Sequence, residues 1–88
     1  MSVKIVEIEW IESEAGWGQR PDGFTYHPTI ESAQQYINDY WTKMPTEVPG
    51  CYSRPENITP IFVNEVFALL VEYNGTVYSD KKVRHEQA

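Results

Sequence analysis

Four side chains have the types best suited to recognition: Trp17, Arg20, Tyr52 and Arg54. Trp, Tyr and Arg dominate binding hot spots, because a ring removes much area from water and a guanidinium adds directional hydrogen bonds. All four fall in two stretches broken by proline and glycine, residues 13–24 and 44–60. Connecting segments carry function more often than the scaffold does. Asp22, two residues from Arg20, and Trp41, at the end of a helical stretch, join them as candidate binding residues. Glu7 and Glu9 complete the set: two apart on a strand, they share one face about 7 Å from each other, an acidic strip that would steer the chain toward basic surfaces. In the plainer reading Trp17 and Tyr52 close the ends of the core, the arginines pair with local carboxylates, and the glutamates form a solvated strand face.

The same residues make poor catalysts. Cys51, His27 and Asp22 or Asn38 would be needed for a thiol nucleophile, but the acidic setting raises a thiol pKa rather than lowering it. Paired carboxylates would need a deep sugar cleft, for which a chain of 88 residues has little room. His27 and His85 stand far apart and Cys51 has no CxxC partner, so no metal-ligand spacing is present. Gly16-Trp17-Gly18 lacks the lysine and the helix start of a phosphate cradle. The residues therefore predict a binder rather than an enzyme, with no metal or other cofactor.

Local patterns predict the scaffold. Val6, Ile8 and Trp10 alternate with Glu7 and Glu9, the period of a half-buried strand over residues 3–12. Ile5 and Ile11 fall on the acidic face, so that face is not wholly solvated. Residues 13–24 read as a loop with a Pro21-Asp22-Gly23 turn, and 24–27 as a short strand pairing back on the first. Thr29 suits a helix N-cap, and Ile30, Ala33, Tyr36, Ile37, Tyr40 and Trp41 step by three and four, predicting a helix over 30–43. Residues 44–60, with four prolines, read as a long irregular segment, followed by a short strand at 61–63. Over 64–73 two readings compete: a helix capped by Asn64 and stopped at Asn74-Gly75, or a strand entering an Asn-Gly hairpin. The spacing of Val66, Phe67, Leu69, Leu70 and Tyr73 favours the helix. A strand over 76–79 follows either way. The whole predicts an α+β domain over residues 1–80, with a mainly antiparallel sheet of three to four strands packed by one or two helices on one face. Residues 81–88 read as a frayed, basic, polar C-terminal tail.

Charge narrows the partners. Residues 1–80 hold four basic side chains against twelve acidic ones, a net −8, while residues 81–88 hold three against one. Such a body repels phosphate backbones, so direct nucleic-acid binding is disfavoured. Carboxylates at strand spacing that imitate phosphates remain a variant of the protein-binding reading. No apolar run approaches a signal peptide or a membrane span, and a lone cysteine forms no internal disulfide, so the expected location is the cytoplasm, with no membrane partner. Twelve aromatic residues give a small chain much area to bury, and a homodimer would take up part of any excess.

The run from Gly16 to Gly23, Tyr26-His27 ahead of a helix ending Tyr40-Trp41, then Val48-Pro49 and Tyr52-Ser53-Arg54-Pro55, resembles small uncharacterised acidic proteins of bacteriophages and mobile elements. The likeness spans about the first two-thirds of the chain. No activity or functional residue comes with it; what it implies is a context, a phage-encoded protein that binds and modulates or inhibits a host protein, defence proteins included, in the host cytoplasm. The second reading is a small-ligand or nucleotide-sequestering protein, in which arginines take a phosphate and rings stack on a base.

Overall fold

Alternation along the first strand decides the architecture, because it buries both of its faces. The structure is a computed structural model that describes residues 2–14, 18–44 and 51–87, without the side chains of Glu14 and Cys51. Strands β1 (Ser2–Glu14), β2 (Gly18–His27), β3 (Cys51–Asn64) and β4 (Val77–Ser79) form one antiparallel sheet in the order β3-β1-β2-β4. Helix α1 (Ile30–Lys43) joins β2 to β3, and α2 (Glu65–Asn74) joins β3 to β4. The fold is α+β, as the alternating and helical patterns predict.

The two helices cover opposite faces rather than the single face expected. Ile5 packs with Tyr26, Ile61 and Val63 of the sheet and with Ala68 and Val71 of α2. Its neighbour Val6 packs the other way, with Ile8, Trp10 and Ala33 of α1. Successive strand residues point to opposite sides, so a strand with apolar residues at both parities requires two covers. Ile5 on the nominally acidic face was the sign of the second one.

Helix α1 starts as predicted. Thr29 and Ser32 cap each other reciprocally, side chain to backbone N–H in both directions, satisfying two of the donors that a helix start leaves open. Helix α2 resolves the ambiguity of residues 64–73 in favour of the helix. Asn64 Oδ1 accepts from the Phe67 N–H, and Gly75 closes the last turn at φ 78°.

Two segments read as loops are strands. Residues 51–60 belong to β3 despite Pro55 and Pro60. This strand is an edge of the sheet, so a residue without an N–H costs a ladder bond only where it faces β1. Pro55 lies opposite Trp10 and Pro60 opposite Val6, equivalent positions on β1, because a one-residue slip at Glu56 brings the two prolines into phase. Residues 18–23 likewise belong to β2. Trp10 pairs with Gly23 and Ile11 with Pro21, which leaves Asp22 as the extra residue of a bulge rather than the centre of a turn.

The basic C-terminal segment also departs from its expectation, since it packs back on the α2 face of the sheet. Val83 joins the core there, and its N–H donates to the Tyr26 hydroxyl at 3.0 Å. The Glu86 N–H donates to the Phe62 carbonyl at 2.7 Å, and Ser2 Oγ to the Gln87 carbonyl at 2.9 Å.

Candidate functional site

The bulge at Asp22 shapes a cavity on the α1 face. It holds about 250 Å³ and is lined by Trp10, Asp22, Thr25, Tyr36, Tyr40, Ser53 and Tyr78. Four aromatic rings therefore meet one carboxylate and two hydroxyls. A bulge turns one side chain out of the regular alternation, and here it turns Asp22 toward the rings. Ser53 Oγ donates to Asp22 Oδ2 at 2.5 Å, and the Tyr78 hydroxyl donates to the Asp22 carbonyl at 2.8 Å. The Tyr40 hydroxyl donates to the Ser53 carbonyl. Burial, more than the nearby Asp22 charge, pushes the Tyr40 phenol up from its ordinary pKa. Trp10 meets Tyr36 at 77° and Tyr40 at 67°, with ring centroids 5.9 and 5.0 Å apart, so the rings stand as walls rather than as a stack.

Gly23 makes the fourth ring possible. Its φ of +131° lies in a region that favours glycine, and a Cβ there would stand 2.7 Å from the Tyr78 hydroxyl. Tyr78 lies across that open backbone and closes one side of the cavity.

Behind the wall, Trp10 Nε1 donates to Thr25 Oγ1 at 2.8 Å, and His27 Nε2 stands 2.9 Å from the same oxygen. His27 Nδ1 is 3.3 Å from Thr76 Oγ1, and the Tyr36 ring covers the imidazole at 4.9 Å. A neutral ring, with one nitrogen donating and the other accepting, fits two hydroxyl neighbours. Burial depresses the His27 pKa to about 4, which keeps the ring neutral at physiological pH.

The residues singled out from the sequence disperse. Trp17 lies outside the described residues. Asp22 lines the cavity. Trp41 and Tyr52 meet at 6.3 Å, and Trp41 also meets Tyr40 at 5.2 Å, so this pair extends the aromatic row beyond the cavity. Arg20 pairs with Glu12 at 2.7 Å and Arg54 with Glu56 at 3.0 Å; neither lines the cavity. The pairing of arginines with local carboxylates follows the plainer reading.

Glu7 and Glu9 do not form the solvated acidic strip. Glu7 is 4% exposed. Its Oε2 accepts from the Tyr26 hydroxyl at 2.8 Å and lies 3.1 Å from His85 Nε2, while Oε1 lies 3.8 Å from Lys82 Nζ. Desolvation and the Glu7 carboxylate together push the Tyr26 phenol well above its usual range. Glu9 Oε1 accepts from Asn57 Nδ2 at 3.1 Å. The acid at position 7 is thus the seat of the C-terminal segment, and of the basic residues that stood out by charge Lys82 lies beside it.

A second surface lies on α2. Phe67, Ala68 and Val71 face the sheet, yet Val66, Leu69, Leu70 and Tyr73 face outward, with Val66 78% and Tyr73 90% exposed. Sequence reasoning found these residues and used them only as helix spacing. The signal it passed over is that the apolar positions fill two sides of the helix, more than one core can take. It also missed Trp10, Tyr36, Tyr40, Ser53 and Tyr78. Trp10, Tyr36 and Tyr40 carry a helix- or strand-period signal that reads only as core.

Comparison with known proteins finds no matching family model, no curated protein that matches and no solved structure that matches. Among the described residues, no group of His, Cys, Asp and Glu could hold a metal ion, and no helix is long and apolar enough to cross a membrane.

Proposed function

We propose that the chain is a non-catalytic protein-binding module whose docking element is the outward face of α2. The observation that carries this is a helix apolar on both sides, with Val66, Leu69, Leu70 and Tyr73 in solvent at the spacing of one helical stripe. An exposed apolar stripe of this size is normally covered by protein. The stripe matches the way a helix presents i, i+3, i+4 and i+7 anchors to a groove. Glu65 and Glu72 lie on the same helix, which carries no basic residue, and the chain has a net charge of −6. Those charges favour an apolar groove rimmed by Lys and Arg over a second copy of the same acidic surface. In the context that the phage-like likeness implies, the partner is a host protein with a basic surface, modulated or inhibited by being covered.

The nucleotide-sequestering alternative receives less support. It required Arg20 and Arg54 to converge on stacked rings, and both are engaged elsewhere. A cavity of about 250 Å³ also falls short of the ~300–1,000 Å³ of ligand pockets.

The test is quantitative affinity capture from bacterial lysate with the wild-type chain and with Leu69→Glu/Tyr73→Ser, alongside sedimentation of the purified protein. A host protein captured by the wild type and lost by the variant, with its far-UV spectrum unchanged, supports the proposal. Equal capture by both proteins, or a salt-resistant homodimer that the variant disrupts, defeats it.

A further inference from the structure

We infer that the α1-face cavity is a binding site for a trimethylated, quaternary ammonium group. The inference is independent of α2 and stands on three observations. The first is wall chemistry: Trp10, Tyr36, Tyr40 and Tyr78 surround the space, and ring faces carry the negative side of a quadrupole that attracts cations. The steep angles between Trp10 and the two tyrosines of α1 set their rings as separate walls, so a rounded cation meets more than one of them.

The second observation is the placement of charge. Asp22 is the one carboxylate among the described residues that line the cavity. It is brought there by the bulge and held by Ser53 Oγ at 2.5 Å. Among the described residues that line the cavity none is basic, and Arg20 and Arg54 pair with Glu12 and Glu56. The polar ends of two walls are turned to the backbone: the Tyr40 hydroxyl donates to the Ser53 carbonyl and the Tyr78 hydroxyl to the Asp22 carbonyl. These bonds fix the rings before any ligand arrives, which reduces the ordering cost of binding.

The third observation is size and hydration. About 250 Å³ accommodates a trimethylammonium head but not a nucleotide. A primary ammonium keeps its hydration tightly and needs several acceptors to replace it, whereas this cavity offers one carboxylate among apolar walls. A trimethylated, quaternary ammonium has no N–H left to satisfy and loses little on leaving water, so its chemistry fits the walls best.

Such a head group reaches a protein either on a free small molecule or on a methylated lysine of another chain. Choline and a trimethyl-lysine peptide represent the two sources; 3,3-dimethylbutan-1-ol, the neutral isostere of choline, and the unmethylated peptide are the controls. The readout is the NMR position of the Trp10 indole N–H, which bonds Thr25 at the cavity wall. The proposal expects saturable shifts with choline or the trimethyl-lysine peptide at a Kd of about 1 mM or tighter. Asp22→Asn, which keeps shape and removes charge, should weaken binding about tenfold, and Tyr36→Leu several-fold, with the remaining amide spectrum preserved. Similar affinity for both sources assigns the free head group, and preference for the peptide assigns a protein-borne one. Equal binding of the neutral isostere or of the unmethylated peptide would overturn the proposal, as would an indole signal unmoved by either methylated ligand.

Discussion

The two faces of the sheet solve the same burial problem with different materials. The α1 face is closed by aromatic rings whose polar ends are tied to neighbours: Trp10 to Thr25, Tyr40 to Ser53, and Tyr78 to Asp22. The α2 face is closed by aliphatic packing around Val63 and Val71, and by a C-terminal segment laid over one buried carboxylate. The outer sides of the helices differ in the opposite sense. Around Ala33, α1 shows solvent Glu31, Gln34, Gln35, Asn38 and Asp39, whereas α2 shows it Val66, Leu69, Leu70 and Tyr73. One face therefore turns its aromatic rings inward, around a cavity, and the other turns apolar side chains outward, on a helix. A small sheet covered on both sides can separate two such surfaces without a second domain.

The largest way to break this comparison is to remove the cover that is not a helix. Deleting residues 81–88 takes His85 and Lys82 from Glu7 and Val83 from the α2-face core. Losing the Val83 packing and the hydrogen bonds of the segment should cost about 3 kcal/mol, softened because removing this cover lets water reach Glu7. Urea unfolding would read this loss, and Glu7→Gln should destabilise the full chain more than the shortened one, in which His85 and Lys82 no longer reach the carboxylate. If deletion and substitution simply add, the segment is not seated on Glu7.

Next in size is the acid response of the α1 face. His27 is fully buried and its pKa is depressed to about 4, below the ordinary 6.5 of an unfolded chain. Between those values the unfolded state binds the extra proton. Stability from this group is therefore complete above about pH 6.5 and falls as the pH drops toward 4, by about 3 kcal/mol at most. Unfolding measured across that interval should show a flatter profile for His27→Gln than for the wild type. Identical profiles would mean that the imidazole is not held neutral by the fold.

The smallest effect is expected where the surface is most apolar. Leu69→Glu on the outward side of α2 should change stability by no more than about 0.5 kcal/mol, because the residue is 63% exposed and lies outside the core. Thermal unfolding checks this. A loss of several kcal/mol would show that the outer face of α2 is already used by the fold itself, and would sharpen the contrast between the two helices into one between two covered faces.

Much of the frame was legible because local physics fixed it. The Thr29 cap, the three-four stripe of α1, and the Asn64 and Gly75 limits of α2 act within a few residues, where sequence spacing is spatial spacing. The strands around Asp22 and Pro55 were not legible in this way. Proline and glycine mark loops on average, and only the sheet order reveals that β3 is an edge and that residue 22 is a bulge. The site was less legible still. Of its lining residues only Asp22 was singled out, since Trp10, Tyr36 and Tyr40 look like core until the bulge shows where the core stops. Glu7 misled for the same reason. Alternation marked it as facing away from Ile8, but not that residues 82–85 would cover that side.

The central position of β1 has a consequence for how the chain reaches this structure. Its partners are Gly18–His27 on one side and Cys51–Asn64 on the other, with Ser2 opposite Asn64 and Glu7 beside His85. β1 is thus completed by residues far from it along the chain. Pairings at such sequence separation require large loops to close before they are rewarded, which slows folding relative to helical chains of similar length. Until β3 and the C-terminal segment arrive, β1 and β2 stand as a bare hairpin with apolar residues on both sides, the form of this chain most exposed to aggregation during synthesis.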